Sequence, residues 1–357
     1  MPRKRESRMR IAIVSTPFLA VPPRTYGGTE LVVHELVEGL VAHGHDVTLF
    51  ATGDSTSSAE LRYAYSEAQW PPSPLTETYH VSSSMAQIAA GNFDLVHAHA
   101  AMALGFARLL PEIPMVYTLH HHRVKDLSDF YRHFPKVHYI AISHRQKELE
   151  ISLPQCEVIH HGLDPRRFSC GGPTGGHVCF IGRFAEEKGP HMAIDAAREA
   201  GVPIIMGGEP HPPDMEYARR ELESRLTQPH VTRLGNIGCD KKVPLLQSSR
   251  ALLAPITWEE PFGLIFIEAM LCGCPVVAFP RGSTRELIEN GVTGYLVNST
   301  EEMAEIIRPG GVLESFNREK CRTHAVTRFG RDRMVTDHLR VYAQILEDRN
   351  SKELLVA

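Results

Sequence analysis

The stretch Glu260–Phe279, EPFGLIFIEAMLCGCPVVAF, decides how this chain is read. Glu260 and Glu268 bracket a segment containing Pro261, Phe262 and Gly263. Ala269-Met270-Leu271 favours helix, Gly273 stops it, and Val276-Val277 opens a buried β-branched strand. The order is therefore loop, helix start, short helix, turn and strand. At such a helix start the backbone N–H groups of Phe262, Gly263 and Leu264 lack intrahelical acceptors and can donate to an anion or a sugar hydroxyl. Glu260 is expected in the loop facing the same ligand, and Glu268 about one turn into the helix, where it can grip a diol. Phosphate donors beside two hydroxyl-binding carboxylates are what a sugar nucleotide requires. In the alternative, Glu260 is a surface carboxylate and Glu268 merely complements the helix dipole.

Working outward, strands and helices alternate on both sides. Ile11–Val14, Val47–Phe50, Leu95–His97, Met115–Leu119, Tyr139–Ala141 and Glu157–Ile159 read as strands in the first half. Helices are expected near Glu30–His43, Ser82–Ala90 and Ala101–Leu110. A second series has strands at His177–Ile181, Pro203–Met206, His230–Leu234, Ala251–Ala254 and Pro275–Phe279, with helices at His191–Ala200 and Met215–Leu226. Such alternation predicts an α/β chain with two parallel sheets covered on both faces, two Rossmann-like domains facing each other across a cleft. The Gly-rich, aperiodic RRFSCGGPTGG at 166–176 reads as the linker. The expected division is a basic leader at 1–8, an N-terminal domain at 9–168, a C-terminal domain at 169–330 and a last helical segment at 331–357.

Two further motifs carry chemistry. Gly182-Arg183-Phe184-Ala185-Glu186-Glu187-Lys188-Gly189 follows the first strand of the second series. Arg183 offers a planar fork and Lys188 a compact ammonium, both suited to a diphosphate, and Gly182 and Gly189 permit tight turns. Tyr26-Gly27-Gly28-Thr29-Glu30 opens the first helix, where Gly27 and Gly28 let the main chain approach a phosphate. Thr29 and Glu30 could instead serve only as a cap. His120 ends the strand Tyr117-Thr118-Leu119, and His121 or His122 could substitute for it.

With G-G-x-E, T-x-H, G-R-x4-K-G and E-x7-E in this order along the sequence, the chain resembles glycosyltransferase family 4, retaining nucleotide-sugar enzymes of the GT-B fold. The resemblance implies that Arg183 and Lys188 neutralise the leaving diphosphate, that Gly27 and Gly28 contact the donor phosphate, and that His120 lies beside the transferred sugar. It implies that Glu260 orients the sugar hydroxyls and Glu268 the ribose. Asn236 and Ile237 stand where the family cradles the nucleobase, Gly207-Gly208-Glu209-Pro210 closes the same pocket, and the last helix crosses back to the N-terminal domain. Ala141-Ile142-Ser143 resembles its A-x-S signature. Two departures stand out: His161 replaces the usual Asn in V-I-x-N-G-x-D, and Ser283 replaces the second glycine of G-G-x-x-E. The implied reaction moves a hexose from a UDP-, GDP- or ADP-linked sugar to an acceptor the sequence does not identify, with retention, without metal or other cofactor, and with domain closure excluding water. A GT-B epimerase or hydrolase of a sugar nucleotide, or a non-catalytic binding protein, are the alternatives.

Bulk properties fit. A 357-residue chain with 43% hydrophobic residues supports two domains, and a net charge of -4 gives no reason to expect nucleic acid. No run reaches the roughly 18–20 apolar residues of a membrane span, so membrane contact is at most peripheral, through the leader. Seven cysteines, an odd number without a C-x-x-C pair, fit reduced thiols and a cytoplasmic location. His97-Ala98-His99 and His120-His121-His122 suggest a metal, but no third ligand at zinc spacing and no D-x-D pair accompany them. The sequence is silent on oligomeric state.

Overall fold

The computed structural model describes residues 8–25, 27–172 and 175–356; the side chains at 350 and 352–356 lie outside that description. Of the basic leader expected at 1–8, residues 1–7 fall outside it, as does Tyr26. The chain forms two compact units. One runs to Gly162 and resumes at Arg331, and the other spans Leu163–Gly330. The boundary thus precedes the expected 168/169 division by six residues.

The first unit is a seven-stranded parallel sheet. Its strands are β1 (Arg10–Val14), β2 (Asp46–Ala51), β3 (Glu60–Tyr63), β4 (Leu95–Ala98), β5 (Met115–Leu119), β6 (His138–Ala141) and β7 (Cys156–Val158). They lie in the order β3-β2-β1-β4-β5-β6-β7. On one face Val14, Val96, Ala98 and Tyr117 meet Val81, Met85 and Ile88 of the helix Pro74–Ala90. That helix begins eight residues before the expected Ser82, with Pro at its first turn. Its early turns expose Leu75 and Tyr79, which hides the amphipathic period. The helix expected at Ala101–Leu110 is only a 3₁₀ segment, Ala101–Phe106, which contains the poor helix former Gly105.

The helices Gly28–Ala42 and Arg331–Val356 pack together in this unit. A Cβ on Gly39 would lie 2.3 Å from Val335 Cγ2, so glycine sets how closely the two helices approach. The Arg331 guanidinium reaches the fully buried Glu35 carboxylate at 3.5 Å.

The second unit is a six-stranded parallel sheet. Its strands are β8 (Val178–Ile181), β9 (Ile204–Gly207), β10 (Val231–Gly235), β11 (Leu252–Ala254), β12 (Val276–Ala278) and β13 (Gly294–Leu296). Their order is β10-β9-β8-β11-β12-β13. The region expected as one helix at Met215–Leu226 contains a π turn, Ala218–Leu222, between short α segments. Tyr217, Ala218 and Leu222 of this region all lie in the core.

Each sheet reverses direction once, between β1 and β4 in the first unit and between β8 and β11 in the second. In open parallel sheets such a switch point parts the following loops and leaves a ligand crevice at the carboxyl ends of the strands.

Candidate functional site

In the second unit the loops flanking the switch point are those after β8 and β11. The first carries Gly182, Arg183 and Lys188, the second Glu260, and the two meet. Lys188 Nζ donates to Glu260 Oε2, which also accepts from Trp258 Nε1 at 3.0 Å. The ammonium lies 4.6 Å from the Trp258 ring centroid, a cation–π contact. Residues 72 apart in sequence are thereby joined in one partly buried cluster. Arg183 pairs with Glu187 and, through Nη1, with Asp214 at 3.0 Å. Asp214 opens the segment following Pro212 and Pro213, a partner no motif indicated.

Glu260 sits 9% exposed and Glu268 2% exposed. The helix here is Leu264–Leu271, with Gly263 as N-cap in the left-handed region at φ 83°. Glu268 Oε1 accepts from Lys242 Nζ at 2.6 Å, Lys242 lying on the helix Cys239–Ser248. Lys242 was missed in the sequence because ion partners 26 residues apart leave no local pattern.

Ser283, the departure from glycine, has a local explanation. It adopts φ -70°, so no glycine is needed. Its hydroxyl donates to the Phe262 carbonyl at 2.5 Å, and its N–H to the Glu260 carbonyl at 2.9 Å. The neighbouring Gly282 is constrained: at φ 56°, a Cβ there would lie 2.3 Å from both Glu260 N and O. Together these residues clamp the loop that holds Glu260. At the ends of β9 and β10, Gly208 N–H donates to the Gly235 carbonyl at 2.8 Å, and Ile237 covers Gly207, where a Cβ would approach Ile237 Cδ1 to 2.7 Å. Asn236 lies in this turn, beside the loop bearing Glu209, which pairs with Arg233.

In the first unit, Gly27 is the N-cap of the helix Gly28–Ala42. The N-cap glycine makes no side-chain capping bond there. Glu30 instead accepts from Thr16 Oγ1 at 2.5 Å, and burial pushes its carboxyl above the usual range.

His120 lies at the end of β5 among buried histidines. Its Nε2 is 2.7 Å from His99 Nδ1, and its ring stacks on His161 at 5.6 Å. Burial pushes the His120 imidazole down to about 3, so it is neutral at physiological pH. His121 is committed elsewhere: Nδ1 to the His122 carbonyl at 2.9 Å and Nε2 to Tyr131 Oη at 2.8 Å. It therefore cannot stand in for His120. Gln146 holds the turn by donating to the Leu119 and His121 carbonyls, at 2.9 and 2.8 Å. Ser143 caps the next helix, accepting from Gln146 N–H at 3.0 Å. His161 needs no positive φ, since no described residue other than glycine has one, so the Asn-to-His departure does not distort the turn.

The sequence model described as Glycosyltransferase Family 4 matches residues 26–167, and the one described as Glycosyl transferases group 1 matches 173–309. Phosphatidyl-myo-inositol mannosyltransferase of Mycobacterium tuberculosis is 27% identical over 325 residues, covering 81% of this chain and 82% of that protein. Glycogen synthase of the same organism is 28% identical over 348 residues, covering 80% of this chain and 81% of that protein. The structure of Anabaena Alr3699/HepE in complex with UDP and glucose aligns with a TM-score of 0.73 at 22% identity, over 94% of this chain and 100% of that chain.

Proposed function

The chain belongs to glycosyltransferase family 4 and is a glycosyltransferase with the GT-B fold, and from that premise we propose a retaining, metal-independent transfer of a hexose from a nucleoside diphosphate sugar to an acceptor hydroxyl. The observation that carries the reading is the junction of Lys188 with Glu260 at the switch point of the second sheet. Each cation there rests on a carboxylate: Lys188 on Glu260, and Arg183 on Asp214 and Glu187. A diphosphate offers the same cations a better acceptor, with more charge and bidentate geometry for Arg183.

Cleavage of the glycosidic bond leaves an oxocarbenium-like sugar and a diphosphate whose charge grows. Arg183 and Lys188 stabilise that growing charge, which is electrostatic catalysis. Released from Lys188, Glu260 accepts hydrogen bonds from the sugar hydroxyls. Glu268, held in place by the Lys242 ammonium, grips the ribose diol. The turn at Gly235, Asn236 and Ile237 supplies backbone groups to the base; in the first unit, Gly27 and Gly28 offer a main-chain approach to a phosphate and His120 a ring nitrogen to a hydroxyl. The leaving phosphate takes the acceptor proton on the same face, which accounts for retention.

UDP-sugars are the first donors to try, since a protein of the same fold was solved with UDP and glucose. GDP- and ADP-sugars follow. The test is a thermal-shift panel of all three classes: a ligand at a hundred times its Kd raises stability by about 2.7 kcal/mol. A shift with one class that disappears in Arg183→Ala supports the reading, and no shift with any class refutes it. No helix among the described residues is long and apolar enough to cross a membrane. Seven free cysteines support a cytoplasmic location.

A further inference from the structure

We infer that His99 is a positioning residue that holds His120 in the tautomer with its proton on Nδ1, so that His120 offers an N–H donor to the sugar. The inference rests on the reading of His120 as a sugar-facing residue and deepens it.

Proton accounting carries the argument. A neutral imidazole has one N–H and one bare nitrogen. His99 Nδ1 and His120 Nε2 are 2.7 Å apart, so one of them bears the shared proton. The other nitrogen of His99, Nε2, is buried with no partner. If His120 donated, His99 would carry its proton on Nε2 and leave a buried N–H with nothing to accept it. If His99 donates from Nδ1, the orphan is only a bare lone pair. Buried unpaired N–H groups are the rarer and costlier of the two. The arrangement therefore selects His99 Nδ1–H donating to His120 Nε2, and the His120 proton must sit on Nδ1.

The surroundings offer no escape. His97 stacks on His99 at 4.4 Å, but both its nitrogens are used, Nδ1 on Tyr342 Oη at 2.6 Å and Nε2 on Thr118 Oγ1 at 2.7 Å. A doubly protonated His99 would still bury an unpaired Nε2–H, and burial also holds His99 and His120 well below their ordinary range. His99 N–H on the backbone donates to the Val14 carbonyl at 2.8 Å, which anchors the ring's origin at the switch point of the first sheet.

The test is nitrogen NMR of the full chain labelled with ¹⁵N-histidine near neutral pH, where protonated and bare ring nitrogens have distinct shifts. His120 bearing hydrogen on Nδ1 supports the inference, and hydrogen on Nε2 overturns it, whatever the activity. Two variants then connect tautomer to turnover, with UDP-glucose hydrolysis to UDP as the probe reaction. His99→Asp can only accept, so it forces the His120 proton to Nε2. The expected fall in kcat is about 10- to 100-fold, the range for loss of an orienting partner, with KM little changed. His99→Asn, whose amide donates from the place of Nδ1, recovers the wild-type tautomer and most of the rate. Loss of rate in both variants alike, with the tautomer unchanged, would overturn the inference in favour of a purely structural His99. A switched tautomer with undiminished hydrolysis would overturn the role of His120 itself and leave the assignment of Arg183 and Lys188 untouched.

Discussion

Acidification is expected to unfold the first unit well above the pH at which carboxylates titrate. Six of its histidines are held neutral by burial: His80 and His338 are pushed down to about 4, His120 to about 3, and His97, His99 and His161 well below the ordinary value. In the unfolded chain each titrates near 6.5. Below that pH the unfolded state binds protons the native state refuses, so stability falls as pH falls, and continues to fall until the native pKa values are reached. At about pH 5.5 each group costs roughly 1.4 kcal/mol, so six cost roughly 8 kcal/mol, comparable with the whole stability of a typical domain. Glu30 and Glu77, whose pKa values burial raises, offset part of this at lower pH. His121 of the first unit and His177, His191 and His324 of the second shift in the same direction as the six and add to the uptake. The assay is urea unfolding at several pH values, the slope of free energy against pH giving the protons bound on unfolding. Near pH 6 the six histidines alone predict roughly four to five protons. His338→Gln removes close to one of them. Uptake of fewer than about two would show that the native cluster is protonated, and the reasoning would fail.

Four other outcomes follow from the site. Arg183→Ala is expected to lower kcat by about 100- to 1,000-fold, the usual loss when one charge-stabilising donor is removed, measured as release of nucleoside diphosphate. Lys242→Met strands the buried Glu268 carboxylate, costing about 3–5 kcal/mol by denaturant unfolding, and Lys242→Met with Glu268→Gln recovers much of that. Ser283→Gly breaks the 2.5 Å bond to the Phe262 carbonyl, costing about 1–2 kcal/mol and lowering Tm by a few degrees in calorimetry. Gly189→Ala is more damaging, because φ is 69° and the new Cβ would lie 2.3 Å from the Pro255 carbonyl oxygen; a loss above about 2 kcal/mol is expected.

The strands were readable where burial on both faces makes β-branched runs, as at Ile11–Val14 and Val276–Val277. The two strands not foreseen, β3 and β13, are edges of their sheets. β3 is ELRY, half-exposed and charged, and β13 is GYL, too short to show a period. Of the site, Arg183, Lys188, Glu260 and Glu268 could be picked out because the chemistry needs those types at motif spacing. Lys242, Asp214 and His99 could not, since each acts through a partner brought near only by the fold. The order of the sheet, and hence the meeting of Lys188 with Glu260, is a property of topology that no local pattern encodes.

The seam between Gly39 and Val335, and the bond between His97 and Tyr342, have a consequence for biosynthesis. The first unit emerges from the ribosome early but lacks its closing helix until the 168 residues of Leu163–Gly330 have been made. At bacterial and eukaryotic elongation speeds that interval is roughly 8 to 34 seconds. Throughout it, the surface around Gly39 and His97 stands bare on the nascent chain, a natural client for a chaperone, while the second unit, contiguous in sequence, completes itself first.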